Sequence, residues 1–106
     1  MRGVLTIIPA GGGPVTRKAL TGPPSLEELK AAIGGGYLEA VPGFHKFLGG
    51  RCAAFCDEDG KRKVLQLNVR ATELWYGQMK GPFIHHDVLV GDVAIVTGDE
   101  ELMEEL

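Results

Sequence analysis

The side chains with the widest chemical range in this chain are two cysteines, three histidines and a scatter of carboxylates. Cys52 and Cys56 stand four residues apart, and His85 and His86 are adjacent and followed by Asp87. Thiolate, imidazole and carboxylate are the ligands zinc prefers, but a Cys-x-x-x-Cys spacing inside an extended strand is not the knuckle of a zinc finger, and neighbouring histidines seldom share one ion. No metal is expected. The same spacing holds the two cysteine α-carbons far beyond disulfide reach, so both thiols are expected to be reduced and buried. His85 and His86 would titrate near neutrality and make a pH-sensitive contact. A nucleophilic cysteine needs a base, and Cys52 or Cys56 with His45, His85 or His86 is the arrangement the composition leaves open. Ser25 is the lone serine and a helix cap already uses it, which removes serine-triad chemistry. Glu39 and Asp92 are carboxylates with nothing in the sequence to join them as an acid–base pair. The expectation is no catalytic residue, no cofactor and no enzyme.

Two glycine triplets invite a phosphate-loop reading. A phosphate cradle needs its glycines between a strand and a helix start, where free amides and the helix dipole face the anion. Gly11 to Gly13 join two expected strands, Gly34 to Gly36 follow a helix, and no Gly-Lys-Ser/Thr closes either. A pocket without a motif is a separate possibility, since Tyr37, Arg51, Asn68, Arg70, Trp75 and Tyr76 supply stacking surfaces and anion donors. Aromatic and methionine side chains beside cations are also the composition of interface centres. Phe44, His45, Lys46, Phe47 and Leu48 share one glycine-bounded loop, and Trp75, Tyr76, Met79 and Phe83 crowd the end of a second helix. The candidate partner-contact or ligand-contact residues are therefore Phe44, His45, Phe47, Arg51, Arg70, Trp75, Tyr76, Met79 and Phe83. The same side chains would serve equally to close the ends of a small core.

Charge narrows the partners. The net charge is −3, and the cations are scattered as Arg17-Lys18, Lys46, Arg51, Lys61-Arg62-Lys63 and Arg70 rather than gathered into a basic face. Direct nucleic-acid binding is not expected. No apolar run approaches the ~20 residues that cross a bilayer and no signal-peptide segment opens the chain, so the expectation is a cytoplasmic protein with no membrane contact. At 106 residues the chain is expected to be a single domain, 1–106, with a hydrophobic fraction of 44% that suffices for one core.

The elements that must position these groups are organised around Ser25 to Val41. Ser25 followed by Glu28 is a capping box, Leu26, Leu29 and Ile33 recur at helical spacing, and Gly34 to Gly36 stop the helix before the strand YLEAV. Upstream, Val4 to Ile8 reads as a first strand and Pro14 to Leu20 as its antiparallel partner. Phe44 to Gly50 reads as a loop or one helical turn. RCAAFC and KVLQLNV flank DEDGK and read as a hairpin of adjacent strands. Asn68 opens a second helix over Val69 to Met79 with Leu74, Trp75 and Met79 inward. Asp87 to Gly98 is the longest β run and the expected central strand, with Gly91 marking a bulge. Asp99 would cap a short terminal helix. The fold class is α+β: about six antiparallel or mixed strands, one main helix on a face and the second short helix beside it.

LEELKAAIGGGYLEAV, FCDEDGK, LNVRAT and DVLVGDVAIVTGD, taken together from Val4 to about Asp99, resemble a small domain family of unknown function found mainly in phages, prophages and conjugative elements. The resemblance implies a mobile-element accessory protein of the bacterial host cytoplasm and transfers no catalytic residue. Its context implies a protein that binds and blocks a host protein or defence complex, with CRISPR inhibition the best-populated example of that role. A small-ligand or nucleotide-sequestering protein and a small enzyme are the alternatives. Homodimerisation, through the Asp87–Gly98 strand or the aromatic cluster, is a further outlet.

Overall fold

The computed structural model describes residues 1–79 and 87–106, so the expectations placed on Phe83, His85 and His86 lie outside the described residues. Strands β1 (Gly3–Ile8), β2 (Thr16–Leu20), β3 (Leu38–Ala40), β4 (Lys46–Phe47), β5 (Gly50–Asp57) and β6 (Val93–Gly98) form one antiparallel sheet. Its order is β2-β1-β6-β5-β3, and β4 pairs with the start of β5. Helices α1 (Leu26–Ala32), α2 (Val69–Tyr76) and α3 (Glu100–Glu104) complete an α+β fold.

β6 is the centre because its side chains are apolar on both faces. Val93 and Ile95 pack with Ile8, Cys52, Ala54 and the α2 residues Ala71 and Trp75. Ala94 and Val96 point the other way, onto Leu5, Leu29, Ile33 and the α3 residues Leu102 and Met103. Alternation along a strand thus divides the core into two layers. The second helix does not lie beside the first, as the sequence suggested, but on the opposite face of the sheet. β1 and β5 occupy both edges of β6, so this strand has no free edge through which a second copy could pair.

Each helix starts where a short polar side chain caps it. Ser25 Oγ accepts from the Glu28 amide at 3.1 Å, Asn68 Oδ1 from Ala71 at 3.1 Å, and Asp99 Oδ1 from Leu102 at 2.9 Å. Asn68 does more. It is fully buried, and its Nδ2 donates to the carbonyls of Ile8 at 2.8 Å and Gly91 at 2.9 Å. One amide therefore joins the end of β1, the turn before β6 and the start of α2. The turn needs Gly91 for its positive φ of 75°, so this residue turns the chain ahead of β6, and the regular strand begins only at Val93.

Further expectations are corrected. KVLQLNV is not a strand: after Asp57 the chain folds into successive turns, and only Leu67 bridges to Val90. The buried Asp57 carboxylate accepts from Lys63 Nζ at 2.7 Å and the Asp59 amide at 2.9 Å, which draws the segment back onto its own turn instead of letting it extend along β5. The sixth strand is instead Lys46–Phe47, taken from the segment read as a loop. α2 ends at Tyr76 with Gly77 as its C-cap, short of Met79, and Leu74 is 40% exposed rather than inward because Ala71, Thr72 and Trp75 occupy the buried face. Leu26, at the first position of α1, stays 54% exposed, so the buried stripe of that helix begins at Leu29.

Candidate functional site

A short hairpin and one face of α2 stand opposite each other across the β1–β2 end of the sheet. Leu48 and Gly49 are the two residues of the β4–β5 turn, with φ of 52° and 81°, and Phe47 pairs with Gly50 across it. Two left-handed residues in a two-residue loop are the requirement of the hairpin turn whose twist matches its strands. Its second position holds the customary glycine and its first holds a leucine that is 75% exposed.

Between hairpin and helix lies a groove of about 730 Å3. Ile8, Val15, Phe47, Leu48 and Leu74 give it apolar surface, and Arg17, Lys46 and Arg70 bring cations to it against one carboxylate, Glu73. Arg17, Phe47 and Leu48 also line a smaller hollow over Val4, Thr6 and Thr97, so the groove continues across the sheet. The four ion pairs found among the described residues, Lys18–Glu28, Lys61–Asp87, Arg62–Asp59 and Lys63–Asp57, all lie elsewhere. Among the described residues, the three groove cations have no carboxylate partner.

The walls are tied together. Gln78 Oε1 accepts from the backbone amides of His45 at 2.9 Å and Lys46 at 2.7 Å, while its Nε2 donates to Leu74 at 3.1 Å. One side chain thereby fixes the hairpin against the end of α2. Arg70 is half-buried and donates from Nη2 to the Pro9 carbonyl at 2.7 Å, which ties α2 to the chain just after β1. Trp75 Nε1 donates to Pro42 at 2.7 Å beneath the same wall.

The structure disperses the other candidate contacts. Phe44, Phe47 and Trp75 are core residues, with Tyr76 and Met79 packed against them, and only Phe47 also reaches the groove. His45 is exposed with its Nδ1 3.0 Å from the Gly43 carbonyl, and Arg51 is exposed on β5 opposite Lys46. Arg70 is the sequence-named cation that lines the groove. Arg17, Val15, Leu74 and Gln78 were not singled out. Arg17 and Thr6 are register partners across β1 and β2, so alternation along β2 carries the signal for which face Arg17 takes, but nothing local places α2 over that face.

The thiols do not form a reactive centre. Burial pushes Cys52 up to about 11, and burial followed by the neighbouring Glu39 and Asp57 carboxylates pushes Cys56 up to about 11, so both stay protonated at neutral pH. The hollow beside Cys56 is only about 90 Å3. Among the described residues, no three His, Cys, Asp or Glu side chains gather as a metal-holding group. No helix among them is long and apolar enough to cross a membrane.

A family model described as a domain of unknown function, DUF3846, matches residues 1–106. The chain belongs to the DUF3846 family. No curated protein and no solved structure matches it.

Proposed function

We propose that this DUF3846 domain acts by binding rather than by chemistry, as a phage or mobile-element accessory protein that blocks a component of a host defence system in the manner of a CRISPR inhibitor. The observation that carries the binding reading is the groove: exposed Leu48, Val15 and Leu74 beside three cations that have no carboxylate partner among the described residues. Apolar side chains left in water next to unpaired charge are what a partner surface would cover. The mobile-element and defence setting comes from the resemblance of the sequence motifs.

The test is plating of a targeted phage on a CRISPR-armed host that expresses the domain. The wild type is expected to restore plaques and a folded Leu48→Asp variant to lose that effect. Plating unchanged by the wild type in hosts armed with each of several defence systems would refute the blocker. The groove volume favours a second reading, capture of a small anionic ligand such as a signalling nucleotide, because it lies within the ~300–1,000 Å3 of small-molecule sites. Nucleotide that stays with the protein through purification, identified by mass spectrometry, would support that reading against the first.

A further inference from the structure

We propose that the groove between α2 and the β4–β5 turn docks an acidic, amphipathic helical segment of a partner protein, with Leu48 as the apolar anchor; the inference rests on the binding reading above and names the partner's chemistry.

The turn supplies the first argument. A left-handed backbone is costly for any residue with a Cβ, and Asn, Asp or Gly normally fills the place that Leu48 holds. Leu48 and Val64 are the two left-handed non-glycine residues among the described residues and both are exposed, but only Leu48, with three-quarters of it in solvent, lines the groove. Leu48 thus holds an apolar side chain outward at the tip of a hairpin that Gln78 ties to the end of α2, the position of an anchor whose contacts come from another molecule.

The opposite wall identifies the shape of the occupant. Arg70, Leu74 and Gly77 are spaced i, i+4, i+7 and face the groove from one stripe of α2 and its cap. A leucine ridge next to a glycine notch is a surface onto which a second helix packs ridge into groove. The cations identify its charge. Arg17, Lys46 and Arg70 come from three separate elements and converge on the groove without an ion-pair partner among the described residues, outnumbering the one lining carboxylate, Glu73. In a chain of net charge −3 this is the reverse of the average surface, and it complements an acidic segment while repelling a basic one. Gln78 holds the two walls at fixed separation before any partner arrives, which lowers the ordering cost of docking.

The experiment is selection of displayed random 14-residue peptides on the immobilised full chain, followed by calorimetry with the best synthetic peptide. Selected sequences are expected to carry apolar residues at i, i+3 or i+4 and i+7 flanked by Glu or Asp. Leu48→Asp should weaken the best peptide about tenfold or more, Arg17→Glu about fivefold, and added salt should weaken it further. Leu48→Asn keeps the turn and should raise the unfolding midpoint while still lowering affinity, which separates the anchor role from damage to the fold. Selected peptides that are basic or uncharged, affinity indifferent to Leu48→Asn, displacement of the peptide by a nucleotide or an oligonucleotide, or a self-associated dimer dispersed by Leu48→Asp would each overturn the inference. Peptides of the expected kind from a domain that restores no phage plating would refute the defence role and leave this inference standing. Restored plating that survives both Leu48→Asp and Arg17→Glu would do the opposite.

Discussion

Replacing Asn68 with alanine should be among the most damaging single changes in this domain. The side chain makes three hydrogen bonds, donating to Ile8 at 2.8 Å and Gly91 at 2.9 Å and accepting from Ala71 at 3.1 Å, with no solvent access. Each such bond contributes roughly 0.5–1.5 kcal/mol, and a buried carbonyl or amide left without a partner costs roughly 1–3 kcal/mol. Cap loss alone is worth about 1 kcal/mol. Allowing for overlap between these terms, Asn68→Ala should cost roughly 3–5 kcal/mol, a large share of the ~5–15 kcal/mol that stabilises a typical domain. Asn68→Asp separates the contributions. The introduced carboxylate keeps the cap on Ala71 but faces the Ile8 and Gly91 carbonyls with lone pairs where two donors stood. Burial among acceptors favours its neutral form, so the penalty should grow as pH rises above the ordinary carboxylate range near ~4 and shrink below it. The assay is urea unfolding followed by Trp75, the lone tryptophan and a core residue. An Asn68→Ala cost below about 1 kcal/mol, or an Asn68→Asp penalty that does not change between pH 4 and pH 7, would refute the assignment of Asn68 as the residue that joins α2 to the sheet.

Leu48→Asn should raise stability by up to about 1 kcal/mol, because the left-handed turn position then holds a residue that tolerates it; an unchanged or lower denaturation midpoint would show that Leu48 is not strained. Cys52 and Cys56 should resist iodoacetamide at pH 7.5 in the native state and react only on unfolding. Their raised folded values of about 11 mean that the stability they contribute is complete below the unfolded thiol range near ~8.5–9 and is lost as pH rises from there toward 11, so alkaline unfolding should begin in that window; fast native alkylation would contradict their burial. The Asp57 carboxyl is held below the usual range first by its hydrogen bond from Lys63, so its contribution is present above the ordinary carboxylate value and lost as pH falls through its lower folded value. Asp57→Asn should flatten that acid-side loss, as read from denaturation midpoints across pH 2–5, and a slope identical to wild type would remove the pair from the account.

Helix starts were legible because a cap is a local event: Ser25, Asn68 and Asp99 each announce a helix within four residues, and each accepts the expected amide. The central strand was legible because Val93 to Val96 are apolar without a break, which is the pattern of a strand covered on both faces. KVLQLNV carries the alternation of a strand as well, and what overrides it is a pair of side chains, Asp57 and Lys63, whose meeting no periodicity announces. Phe44, Phe47, Trp75 and Tyr76 were visible by type, but their place in the core depended on which face of the sheet α2 would cover. The groove was least legible of all, because Arg17 on β2, Leu48 on the β4–β5 turn and Arg70 on α2 meet only after strand register and helix placement are set. The glycine-bounded segment around Leu48 did stand out, and it became a hairpin because Gly49 can follow a left-handed residue with another.

Amide hydrogen exchange would show whether a partner covers the Arg17–Leu48–Arg70 groove, as proposed. The protein would be compared alone and in complex with whatever protein stays bound to it through purification from host cells. Exchange is expected to slow in residues 15–18, 46–50 and 70–78, with the β3 edge and α3 unchanged. Slowed exchange confined to β3 or α3, or no protein that remains bound, would contradict it.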